Sequence, residues 1–124
     1  MPVKVADASA LAALLFGEPA AEEVARQLER CTLFAPTLLG IEIASVCLKK
    51  TRRHPAHRDA LLTAFGLLSQ MEIARVKVDL PAVLRLAEQT RLSVYDASYL
   101  WLARRLDAEL VTLDKPLGRA AAAD

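Results

Sequence analysis

Four of the fifteen acidic residues in this 124-residue chain stand where chemistry could use them. Asp7 closes the short apolar run Val3-Lys4-Val5-Ala6 and is followed by Ala8, Ser9 and the helical spacing of Ala10, Leu11, Leu14 and Leu15. Asp114 closes a second such run, Leu110-Val111-Thr112-Leu113. Asp96 opens an apolar helical stretch that runs on to Arg105 or Leu106, and Glu42 lies within another, between Ile41 and Ile43. An aspartate at a strand–helix junction has a simple structural role open to it, as an N-cap. That role is not expected for Glu42, read as mid-helix with Leu38, Leu39 and Val46 as its helical neighbours. A carboxylate on such a surface is costly unless it is paired, protonated or bound to a cation.

If the four acids meet, electrostatics limits what they can be. Two carboxylates about 5 Å apart repel by roughly 3 kcal/mol at an effective dielectric near 20. Either some are protonated or a divalent cation lies between them. An all-oxygen donor set favours Mg²⁺ or Mn²⁺ over zinc. Such a cation suits phosphodiester hydrolysis, because it activates a water and stabilises charge on the leaving oxygen. Ser9 and Thr112 are placed to orient a carboxylate or a water by hydrogen bonding. Their simpler roles are those of ordinary cap and strand residues.

The elements that must carry these groups follow from the pattern. Strands are predicted at residues 3–6, 33–36, 73–78 and 110–113, and helices lie between them. The first helix stops near Gly17, before the Glu18-Pro19 step. An amphipathic helix over residues 20–30 turns Val24 and Leu28 inward. Residues 37–50 form a helix capped by Thr37 and apolar nearly all round, predicting deep packing on every side. Further helices cover residues 60–68, the stretch from Asp79 and Pro81 to Arg91, and residues 96–106. Asp79 reads as a helix cap with proline in the first turn. The segment from Lys115 to the end is either a last helix or a frayed terminus. Strands alternating with helices predict one α/β domain over residues 1–124: a three-layer α/β/α sandwich around a mainly parallel sheet of about four short strands. In such a sheet the strand C-termini share one edge, where ligands bind, so the four acids can converge there.

Composition narrows the function. The net charge of +1 gives no bulk attraction to nucleic acid, so any such binding must be local. Lys49, Arg52 and Arg53 are the phosphate-contact candidates, although basic residues at a helix C-terminus also suit the helix dipole. No Ser-His or Cys-His constellation is discernible, and no glycine-rich phosphate loop follows the first strand. His54 and His57 lack a third metal-type ligand and read as exposed. Cys31 and Cys47 are not in metal spacing and read as reduced thiols of a cytoplasmic protein. No apolar run is long enough to span a bilayer, and no signal peptide is recognised.

Four segments, VADASALAALLFGEP, APTLLGIEIASVCLKK, LSVYDASYLWLARRL and LVTLDKPL, occur in the order typical of the PIN-domain family, and the chain resembles in particular its VapC-type toxins. The resemblance covers the chain from its start to about Leu117. It implies that Asp7, Glu42, Asp96 and Asp114 form an acidic quartet holding Mg²⁺ or Mn²⁺. It further implies a ribonuclease acting on RNA, a homodimer, and inhibition by a cognate antitoxin whose C-terminal segment reaches the acidic site. Family members often continue past the last acid into an edge strand; the alanine run here predicts a sheet without it. Two other readings stay open on the residues: a non-catalytic PIN-like module that binds a peptide or RNA, and a phosphoacceptor receiver domain. The receiver design wants an acidic pair after strand one, and Asp7 stands alone there.

Overall fold

The computed structural model describes residues 1–123. Four strands form one sheet: β1 (Val3–Ala6), β2 (Thr32–Pro36), β3 (Ile73–Val76) and β4 (Glu109–Val111). Their order is β3-β2-β1-β4, and every pairing is parallel. The helices are α1 (Ala8–Phe16), α2 (Ala21–Gln27), α3 (Leu39–Arg53), α4 (Arg58–Gly66), α5 (Leu80–Thr90), α6 (Val94–Leu106) and α7 (Lys115–Ala122). Two single 3₁₀ turns, Pro55–His57 and Leu67–Gln70, flank α4.

The strand order decides where a ligand can sit. From β1 to β3 the chain steps one way across the sheet, and then it returns to place β4 on the other side of β1. With right-handed crossovers the connections before β3 lie on one face and those after it on the other. The contacts agree: α1 packs against α2, α3 and α4, while α6 packs against α5 and α7. Reversal between β1 and β4 opens a crevice at their C-terminal ends. Between the layers lie Val5, Leu11, Leu39, Ile43, Leu100, Leu102 and Leu117, all essentially without solvent exposure.

Several expectations are corrected. The strands predicted at 73–78 and 110–113 are shorter, ending at Val76 and Val111. Beyond Val111 the Thr112 hydroxyl is drawn into contact with Asp7, which takes the chain out of the ladder. Thr37 is exposed and does not cap α3; its N–H donates to Val76 O, and the N-cap is Leu38. The α3 helix therefore starts later, and Glu42 lies in its first turn rather than at its middle. Nor is α3 packed all round. Leu39, Ile43 and Cys47 are buried along one stripe, whereas Ile41 is 75% and Leu48 47% exposed. An outer-layer helix has only one face to bury. The C-terminal segment is the helix α7, and α2 ends at Gln27, earlier than predicted.

Candidate active site

Asp7 is the best-held of the four acids. It is 3% exposed at the junction of β1 and α1. Its Oδ1 accepts from the Ala10 N–H at 3.0 Å and from Ser9 Oγ at 2.7 Å, and its Oδ2 accepts from Thr112 Oγ1 at 2.5 Å. Both hydroxyls also accept: Leu113 N–H donates to Ser9 Oγ and Asp114 N–H to Thr112 Oγ1, each at 3.0 Å. Through this network the end of β1, the start of α1 and the loop after β4 are tied across the switch point. Asp7 is thus the N-cap of α1 through Oδ1, and its Oδ2, which accepts from Thr112, keeps an unused lone pair.

Asp114 repeats the design: it is the N-cap of α7, where its Oδ2 accepts from the Leu117 N–H at 2.9 Å. Asp96 lies in the first turn of α6 and is partly buried, and its N–H donates to the N-cap hydroxyl of Ser93 at 3.1 Å. The Ser93-x-x-Asp96 spacing is a helix-start signature that was readable in the sequence. Glu42, in the first turn of α3, is also partly buried.

The four acids interact. Burial raises the pKa of Asp7 most, against the opposing hydrogen bonds of Thr112, Ala10 and Ser9, and the charge of Asp114 raises it further. Glu42 is pushed up by burial and by the charges of Asp96 and Asp7. Asp96 is pushed up by burial, then by Asp114 and Asp7. Three elements of one layer arrangement (the end of β1, the loop after β4, the start of α6) and the first turn of α3 therefore deliver their acids to one electrostatic neighbourhood.

Tyr99 was not anticipated from the sequence. It is buried on α6, three residues from Asp96, with its hydroxyl beside the Glu42 carboxyl, and burial with that charge pushes its own pKa far up. The hydroxyl favours the ionised Glu42. Even so, Glu42 Oε1 and the Tyr99 hydroxyl are both buried without a hydrogen bond of full geometry. An orphaned carboxylate oxygen on a residue that feels the charges of Asp96 and Asp7 fits a cation better than a closed protein network. Among the described residues no three His, Cys, Asp or Glu side chains make a ready-made metal cage. This open, all-carboxylate set suits Mg²⁺ or Mn²⁺, because Mg²⁺ keeps several waters and takes few protein ligands directly.

Beside Glu42 a cleft of about 360 Å³ opens, lined by Ala8, Ile41, Ser45, Val46, Lys49 and Tyr95. Lys49 and Arg53 lie along it or its continuation, whereas Arg52 does not line it. Away from this edge, His54 and His57 are exposed, with rings stacked at 5.9 Å, and Cys31 and Cys47 are free thiols. Among the described residues no helix is long and apolar enough to cross a membrane.

An acidic crevice at the switch point of a parallel α/β/α sandwich defines a class, and comparison with known proteins identifies it. Residues 4–123 match the PIN domain, and the chain belongs to the PIN-domain family. It is 33% identical to Ribonuclease VapC3 of Pyrobaculum aerophilum, over 91% of this chain and 90% of that protein. Among solved structures it is similar to PAE2754 from Pyrobaculum aerophilum, with a TM-score of 0.75 and 26% identity over 94% of this chain and 82% of that one. It shares its fold with Mycobacterium tuberculosis VapC20, described as a sarcin-ricin loop cleaving toxin, with a TM-score of 0.68 and 16% identity over 94% of both chains.

Proposed function

We propose that this protein is a metal-dependent endoribonuclease, the VapC-type toxin of a toxin–antitoxin pair, and that Asp7, Glu42, Asp96 and Asp114 are its catalytic, metal-holding residues. The observation that carries this reading is that these acids stand at strand ends and helix first turns on the one sheet edge where the topology opens a crevice, with the Asp7 carboxylate linked through the Thr112 hydroxyl to the Asp114 N–H. Membership of the PIN family and the likeness to Ribonuclease VapC3 support the choice of RNA as substrate. The protein works in the cytoplasm as a homodimer and is silenced by its cognate antitoxin.

Mg²⁺ or Mn²⁺, when bound, supplies an activated water and charge stabilisation at the scissile phosphate. The chain's own residues do the rest. Asp7, locked by Ser9, Thr112 and Ala10, offers its free Oδ2 lone pair in one fixed direction. Asp114 and Asp96, fixed at the starts of α7 and α6, would hold the cation with Asp7. Glu42, whose Oε1 is buried without a hydrogen bond, would hold the cation with them.

The test is cleavage of RNA by purified protein with Mg²⁺ or Mn²⁺ and with a chelator. Cleavage that needs the metal and falls at least about 100-fold in Asp7→Asn and Asp96→Asn is expected. Activity that survives chelation, or survives both substitutions, refutes the reading.

A further inference from the structure

The four acids are not held alike. Asp7 is fixed by the Ala10 N–H and by the Ser9 and Thr112 hydroxyls, and Asp114 by the Leu117 N–H that it caps. Asp96 is held at the start of α6 by the Ser93 hydroxyl. Glu42 is the one acid on α3, across the sheet from α6 and α7, and a glutamate side chain has more rotamer freedom to lose than an aspartate. Among the described residues one group acts on its carboxylate by hydrogen bonding, the Tyr99 hydroxyl. Tyr99 stands one turn after Asp96 on α6, so the two share a helix face, and the residue is 1% exposed. Packing alone does not account for the hydroxyl, because a phenylalanine ring fills the same space without burying a polar group. Both the hydroxyl and Glu42 Oε1 are buried, and neither completes a hydrogen bond of full geometry. A buried donor beside a buried acceptor, both unsatisfied, needs a reason in the working of the site.

We propose that Tyr99 is a positioning residue of the metal site: its hydroxyl donates to the Glu42 carboxylate and commits one of its oxygens, which leaves the other for the cation. This rests on the metal-site reading and adds to it a residue that touches neither metal nor substrate. The phenol has one proton to give and an ionised carboxylate can only accept, so the bond has one polarity. It also ties α6, which carries Asp96, to α3, which carries Glu42, so one hydroxyl relates two acids from opposite layers. A group that orients a metal-binding side chain removes its freedom before the cation arrives, and metal affinity depends on such partners as well as on the ligands.

The experiment is titration of metal-stripped protein with Mn²⁺, read by the electron paramagnetic resonance of the free ion, so that binding is measured without RNA or cleavage. Tyr99→Phe removes one oxygen and should weaken Mn²⁺ binding by about 10- to 100-fold. Placed in a Glu42→Ala background, the same change should alter affinity by less than about 2-fold, because the group it acts through is gone. Tyr95→Phe, the same change at an exposed ring, should leave Mn²⁺ affinity as it is in the parent. Thermal unfolding in chelator separates positioning from support of the fold. The hydroxyl completes no bond in the metal-free protein, so Tyr99→Phe should unfold there at the parent's temperature or above it. A parent-like Mn²⁺ affinity in Tyr99→Phe overturns the proposal alone, as does an equal loss in Tyr95→Phe or a full loss that persists in the Glu42→Ala background. A fall in Tm of more than about 5 °C in chelator also overturns it, since the hydroxyl then holds the fold and not the ligand. A parent that binds no Mn²⁺, or binds it as well in Glu42→Ala, overturns the metal-site reading and the proposal with it.

Discussion

Thr112 is the hinge of the hydrogen-bond network, and replacing it with valine removes the hydroxyl at nearly constant shape. Two close bonds disappear, the donation to Asp7 Oδ2 and the acceptance of the Asp114 N–H at 3.0 Å, together with the longer 3.4 Å contact to Ser9 Oγ. The first is charge-assisted, a type that contributes about 1.5–3 kcal/mol; the second leaves an N–H that water can reach in part, adding under about 1 kcal/mol. A loss of about 2–3 kcal/mol at neutral pH follows. For a chain of this size that lowers Tm by about 6–15 °C. The effect also has a pH signature. The Thr112 bond favours the ionised form of Asp7, against its burial. Its removal therefore costs most where Asp7 is ionised and less as acid protonates the carboxyl. Thr112→Ser keeps both bonds and should stay close to the parent. The measurement is chemical denaturation of Thr112→Val, Thr112→Ser and the parent from neutral to mildly acidic pH. A valine variant within about 0.5 kcal/mol of the parent, or a serine variant as damaged as the valine, refutes the account of this network.

Asp7, Glu42 and Asp96 all have raised pKa values, so the folded chain holds more protons than the unfolded one between the ordinary and the raised values. In that window stability falls as pH rises, and thermal unfolding of metal-free protein should show a higher Tm at mildly acidic than at neutral pH. Mg²⁺ at about 100 times its Kd should stabilise the parent at neutral pH by about 2.7 kcal/mol, and much less in Asp7→Asn, as read by denaturation with and without the ion. Gly17→Ala, at a left-handed φ of 64° with no atom within 4 Å of the added methyl, should cost about 1 kcal/mol from backbone conformation alone, with RNA cleavage unchanged.

The strands were legible because each is a short apolar run bounded by a turn residue or proline: Val5 and Ala6 before Asp7, and Ala35 and Pro36 closing β2. Asp79 as a cap was equally plain, since its side chain does accept from the Ala82 N–H with proline in the first turn. Alternation of strands and helices was enough to predict the layered sheet, and the placing of Asp7 and Asp114 at one edge followed from it. What could not be read was the start of α3. Thr37 has the chemistry of a cap, but its N–H goes to β3, a long-range bond that no local pattern contains. That shift moved Glu42 to the first turn, where the helix dipole also favours an acid. Composition likewise could not reveal that Ile41 faces outward while Ile43 is buried, because which face of an apolar helix is covered is settled by its neighbours. Tyr99 escaped notice for the same reason: in sequence it is one apolar residue among several, and only packing sets its hydroxyl beside Glu42.

The central claim is that four acids from separate elements share a divalent cation. Crystals soaked in Mn²⁺ and measured at the manganese absorption edge test it most directly. The account predicts anomalous density within about 2 Å of carboxylate oxygens among Asp7, Glu42, Asp96 and Asp114, and its loss in Asp7→Asn. Manganese bound elsewhere on the chain, or none at the acidic edge in crystals of protein that cleaves RNA, would contradict it.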